Sequence, residues 1–172
     1  EGEIPLRAHA HRADDILTAL RIAKEFNVKI VIEHCTEGDR IVEALKEANV
    51  PCIVGPSLTA RSKYELRYKN YGTAVLLNQA GILTAIMTDH PVIPARELRL
   101  CAIAAVREGL SESEALKMLT INPAKILGVD NDLGSLFPGK AADFTVWSGD
   151  PFDARTRVLE LFVDGKCVYK EG

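Results

Sequence analysis

A chain of 172 residues with 47% hydrophobic side chains and a mean hydropathy of +0.03 has enough apolar mass for a folded core, which sets disorder aside. Its 21 basic and 24 acidic residues leave a formal charge of -3 with no Lys/Arg block, so neither nucleic acid nor a membrane is expected as a partner. No apolar run approaches the roughly 18 residues of a membrane span, and the four cysteines, Cys35, Cys52, Cys101 and Cys167, form no CxxC pair, which suits free thiols in a cytoplasmic protein better than disulfides or a thiolate zinc site.

The opening EGEIPLRAHA has neither the basic end nor the apolar centre of a signal peptide, and it begins without Met just before a strand, so a piece of something longer is expected. From Ile4 to Leu127 short β-like runs alternate with helical stretches, the pattern of a parallel sheet built from βα units. IPLRAHA pairs with the amphipathic ADDILTALRIAKEF, in which Ile16, Leu20 and Ala23 share a face. VKIVIEH leads into DRIVEALKEA, with Thr36 or Asp39 as its expected cap. PCIVG is followed by a polar loop, Pro56 to Tyr71, and then by the helix TAVLLNQA, ended at Gly81. ILTAIMTD is the fourth strand. PARELRLCAIAAVREG, SESEALKMLT with Ser111 and Glu114 as a capping box, and NPAKILG then read as helices. Beyond Gly128 the texture turns to Gly, Pro and β-branched residues, and Asp164-Gly165 between apolar runs signals a type I′ hairpin. Residues 1–127 are therefore expected as a βα domain and 128–172 as a small β domain, with Phe144 and Trp147 in its core.

Strand residues two apart share a face, which groups Arg7, His9 and His11 in the first strand. The same rule groups Val28, Ile30, Ile32 and His34 in the second, and Leu83, Ala85, Met87 and Asp89 in the fourth. A lone strand-end histidine is more often a structural hydrogen-bonding residue than a ligand. In a parallel α/β protein, however, the carboxyl ends of neighbouring strands converge on one face, so His9, His34 and Asp89 are expected to share one volume. Two imidazoles and a carboxylate suit a divalent metal, zinc first, with iron, manganese or nickel also compatible. Such an ion lowers the pKa of its water toward about 7.

HAHRADDI, VIEHCTEG and IMTDHP, followed in order by TINPAKILG and GSLFPGKAADFTVW, resemble the carboxyl-terminal half of the amidohydrolase superfamily, on its imidazolonepropionase-like branch. The resemblance runs nearly end to end. It implies an α/β fold, strands five to eight of a (β/α)8 TIM-type barrel at 1–127 with part of a small β-sandwich at 128–172. It also implies hydrolysis of an amide or cyclic amide carbon–nitrogen bond by metal-activated water, with one or two ions in the intact enzyme. His9 would be the fifth-strand ligand, His34 the sixth-strand ligand, and Asp89 the eighth-strand carboxylate that touches metal and shuttles the proton. The first-strand HxH pair and the fourth-strand lysine or glutamate of the family are absent from this chain, which therefore reads as half an enzyme, inactive alone. The alternative is a non-catalytic half-barrel that acts only by assembly, as a homo-oligomer or with its missing amino-terminal half.

Weaker candidates surround this set. His11 and Arg12 follow the first ligand at the mouth of the site and could hold a substrate carboxylate or phosphoryl oxygen, Arg12 by a bidentate fork; solvation at the surface is an equal reading. Arg61 or Lys63 on the long loop after the third strand could reach the small-molecule substrate, against the reading of a solvated basic loop.

Overall fold

The computed structural model describes residues 3–172. Strands β1 (Leu6–Ala10), β2 (Ile30–His34), β3 (Cys52–Val54) and β4 (Thr84–Ile86) alternate with helices α1 (Ala13–Glu25), α2 (Val42–Ala48) and α3 (Thr73–Gln79), and the strands pair in parallel in the order β1-β2-β3-β4. Helices α4 (Leu98–Arg107), α5 (Glu112–Leu119) and α6 (Ile121–Leu127) follow. Each helix buries its apolar stripe: Ile16 and Ala23 from α1, Leu45 from α2, Leu77 from α3, and Ala115 and Met118 from α5 form one core with the strand residues beneath them.

Capping chemistry is only partly as the sequence suggests. The Ser111 hydroxyl accepts the Glu114 N–H at 3.2 Å, but the Glu114 carboxylate turns to Lys117 and Asn78 instead of completing the box. No side chain caps α2: Thr36 points to His11, and Asp39 accepts from Asn70.

Register decides which side chains face the helices. Ala8, Ile32, Cys52 and Thr84 lie in one row, Ala10, His34, Val54 and Ile86 in another, and both rows carry residues of the helix-side core. Between them, His9, Glu33, Ile53 and Ala85 share a row on the opposite face, where Val31, Ile53, Ala85 and Ile126 form a smaller cluster with Leu83 and Met87. Grouping Ile30 and Ile32 with the face that carries Leu83 and Met87 therefore needs correction. Both isoleucines lie buried under the helices, because β2 sits one residue out of phase with that grouping.

The second sheet is antiparallel, β5 (Phe144–Trp147), β6 (Val158–Val163) and β7 (Lys166–Lys170) in that order. Asp164 and Gly165 both hold positive φ, 50° and 73°, as a type I′ turn requires. Phe144 stacks on Phe162 at 4.4 Å between ring centroids. Residues 129–143 form no strand of this sheet: the first of them fold back along α6, where Gly134, at φ +84°, approaches so closely that a Cβ there would stand 2.7 Å from that of Ala124. Ala142 and Asp143 hold the turn between β6 and β7 by accepting from the Gly165 and Asp164 N–H groups. Arg99 of α4 ties the two regions together. Its guanidinium donates to the carbonyls of Pro151, Asp153 and Thr156 at 2.8, 2.9 and 3.1 Å and lies over the Trp147 ring.

Candidate metal centre

At the carboxyl ends of β1 and β2 three histidines meet. His9, His11 and His34 each offer a ring nitrogen, all within 4.8 Å of one another. His9 Nδ1 and His34 Nε2 are 3.0 Å apart, with the rings crossing at 67°.

Strand alternation does not produce this meeting. His34 pairs with Ala10, so by register its side chain belongs on the helix side while that of His9 belongs on the other. The backbone resolves the conflict. His34 and the next residue, Cys35, adopt φ of +70° and +48°, a left-handed conformation rare for such residues, and the His34 ring turns to meet His9 as the Cys35 thiol enters the core. Gly55, just past β3, holds the ring from behind: its carbonyl stands 2.8 Å from His34 Nδ1. With Nδ1–H donated to that carbonyl, a neutral His34 leaves Nε2 as a bare lone pair directed toward His9. Two imidazole nitrogens on one ion, with bonds of about 2.0 to 2.1 Å, stand roughly 3 to 3.5 Å apart, so the observed spacing and the tautomer both fit a divalent metal.

His11 is buried, which sets aside its reading as a solvated residue at the mouth. Its Nδ1 lies 2.7 Å from the Thr36 hydroxyl, its Nε2 lies 3.7 Å from a Glu65 carboxylate oxygen, and its ring stacks on His34 at 4.3 Å. Burial, and then the neighbouring His34, lower its pKa from 6.5 to about 4, so it is neutral near pH 7.

Among the described residues Asp89 does not belong to the group of three. It sits half-buried on the turn after β4, at φ +53°, where its backbone carbonyl accepts from Val92, and among the described residues its carboxylate has no hydrogen bond or ion pair. Arg12 forks onto Asp14 at 2.9 and 2.6 Å, and Arg61 donates to the Lys69 carbonyl of its own loop at 3.2 and 2.8 Å. The loop is braced throughout: Lys69 reaches back to Thr59 and Ala60, and Arg67 lies over Tyr64 and Tyr68. Sequence reading missed Thr36, taken for a cap, and Glu65, which no local motif marks.

The chain is similar to known proteins over most of its length. The model of the Amidohydrolase family matches residues 3–169. An imidazolonepropionase from Paracidovorax citrulli is 31% identical over 150 residues, 84% of this chain and 34% of its own. The crystal structure of an amidohydrolase from Thermotoga maritima superposes with a TM-score of 0.95 at 50% identity, over 98% of this chain and 44% of its own. A Xaa-Pro dipeptidase with methionine in its active site shares the fold at a TM-score of 0.75 and 22% identity, over 97% of this chain and 45% of its own. The chain thus spans less than half the length of each of these relatives. With the strand-end histidines, the parallel βα order and a family match from residue 3 to residue 169 all in agreement, the chain belongs to the amidohydrolase family.

Proposed function

We propose that the intact protein carrying this chain is a metal-dependent amidohydrolase that cleaves an amide or cyclic amide carbon–nitrogen bond in a small molecule. One observation carries the reading: His9 Nδ1 and His34 Nε2 face each other at 3.0 Å while the Gly55 carbonyl commits the other nitrogen of His34. A divalent ion, zinc in the first instance, would supply Lewis acidity and an acidified water. His9 and His34 would hold it, with Asp89 as the carboxylate that would join them. Asp89, with no hydrogen bond to restrain its carboxylate among the described residues, takes up the proton of the attacking water and passes it to the leaving nitrogen.

In this reading residues 1–127 form strands five to eight of a (β/α)8 barrel and 128–172 part of a small β domain. The edge strands β1 and β4 each have one neighbour in the sheet, and the solved relative is more than twice as long, which supports completion of the barrel by a further segment that also brings the remaining ligands. The chain alone is then inactive.

The experiment uses the full-length protein. His34→Ala should remove bound zinc and most hydrolysis of a panel of amides and cyclic amides while the circular dichroism stays native, since one ring at a strand end contributes little core. Full turnover without His34 would overturn the reading.

A further inference from the structure

The three histidines are not equivalent, and the difference assigns one of them another role. An imidazole binds metal through a lone pair lying in its ring plane. The His9 and His34 rings cross at 67° with His9 Nδ1 and His34 Nε2 3.0 Å apart, so one ion beside both nitrogens can lie near both ring planes. His11 lies on His34 with only 29° between the planes and centroids 4.3 Å apart, so the lone pairs of these two rings run side by side.

The proton inventory points the same way. The Thr36 hydroxyl is buried, and its one recorded partner among the described residues is His11 Nδ1, at 2.7 Å. A buried hydroxyl hydrogen needs an acceptor, so Thr36 donates and Nδ1 accepts. A neutral imidazole that accepts at Nδ1 carries its hydrogen on Nε2, where it cannot ligate a metal. That N–H faces Glu65 Oε1 across 3.7 Å, too long for a hydrogen bond, so the carboxylate orients the donor without saturating it. Lys63 stands 3.5 Å from the same oxygen, and the short turn at Tyr64–Leu66 is pinned by the burial of Leu66.

We infer that His11 lies outside the metal's ligand set as an Nε2–H donor, its tautomer set by Thr36 and its direction by Glu65, and that it donates to an anionic or carbonyl oxygen bound beside the ion. His11 is thereby a catalytic residue in the sense of touching substrate, and Thr36 and Glu65 are positioning residues. The substrate part of this inference rests on the hydrolase reading; the tautomer and the ligand set do not.

The test is nitrogen-detected NMR on the full-length, zinc-loaded protein labelled with 15N in its imidazoles, with His11 assigned by the signals lost in His11→Asn. The expected spectrum has His11 unprotonated at Nδ1 and protonated at Nε2, and zinc content unchanged in His11→Asn. A protonated Nδ1, a zinc-bound Nε2, or loss of zinc in the variant would overturn the assignment. Methylphosphonate, a tetrahedral oxyanion, should then move the His11 Nε2–H proton downfield, and no movement at saturation refutes the donor role. Thr36→Val should mix the two tautomers and weaken methylphosphonate by about tenfold, near the worth of one hydrogen bond, whereas Thr36→Ser should preserve both. A native tautomer in Thr36→Val would exclude Thr36 as its cause. Turnover with no His11 response refutes this inference alone, and a full His11 response with no turnover of any amide refutes the hydrolase reading alone.

Discussion

Gly55→Ala should damage the metal centre from a distance, although residue 55 contributes no side chain to it. Gly55 sits at φ +148°, where any L side chain is strained, and a Cβ placed on it would stand 2.2 Å from the Met87 carbonyl oxygen and 3.1 Å from the Met87 carbonyl carbon and Cγ. Relief to an ordinary contact needs a shift of about 1 Å, and the obstruction is backbone at the end of β4, not a side chain free to rotate. Were Gly55 to absorb the shift, its carbonyl, now 2.8 Å from His34 Nδ1, would move out to nearly 4 Å, beyond hydrogen bonding. Strain of this kind costs about 1 to 3 kcal/mol, and loss of a partner that orients a metal-binding histidine typically costs about 10- to 100-fold in metal affinity. Urea denaturation and competitive zinc titration of the full-length protein measure the two effects separately. Gly109→Ala is the control, because Gly109 also has positive φ, +102°, but nothing lies within 4 Å of the added carbon. It should show the strain without any change in zinc affinity. Wild-type zinc affinity in Gly55→Ala would refute the argument that the Gly55 carbonyl orients His34.

Arg99→Ala removes three hydrogen bonds to backbone carbonyls together with the guanidinium over Trp147, and should lower stability by about 2 to 4 kcal/mol. It should also speed amide exchange at Thr156, whose N–H bonds Asp153 in the anchored turn; unchanged exchange would show that the second sheet is held elsewhere. Asn122→Ala leaves the buried Thr84 carbonyl without its 2.8 Å partner and should cost about 1 to 3 kcal/mol in denaturant titration, with zinc content unaltered. The 172-residue chain made alone should associate, because β1 and β4 are edge strands and Leu6 on β1 is 60% exposed. Light scattering showing a stable monomer would count against the missing barrel half. In the same sample, amides of Thr145 to Ser148 should exchange faster than those of β2.

Local chemistry made much of the fold legible. The apolar stripe of α1, the Asp164-Gly165 turn and the Gly128 stop of α6 act within a few residues of chain, and each appears where the sequence suggests it. The βα rhythm and the carriage of His9 and His34 at strand ends were readable for the same reason. Which face a strand-end side chain occupies is another matter. Alternation applied from sequence placed His9 and His34 correctly in one volume but by a faulty route, since register sets them on opposite faces and the left-handed backbone at His34 and Cys35 brings them together. That conformation is costly for both residues, and it persists because the Gly55 carbonyl and the buried Cys35 thiol hold it from either side.

Thr36 and Glu65 mark the limit more sharply. Thr36 has the local signature of a helix cap, and Glu65 lies 54 positions from His11 on a loop without periodicity. Only packing puts both against one imidazole, and neither end of that contact leaves a trace in its own neighbourhood of chain. By itself, then, the sequence determined the order of elements and the residue types gathered at the strand ends, because propensity, capping and turn chemistry act over a few residues. The tertiary structure decided the phase of β2 against its neighbours, the turn of the His34 ring and the partners of His11, because those depend on contacts made only once distant segments have packed.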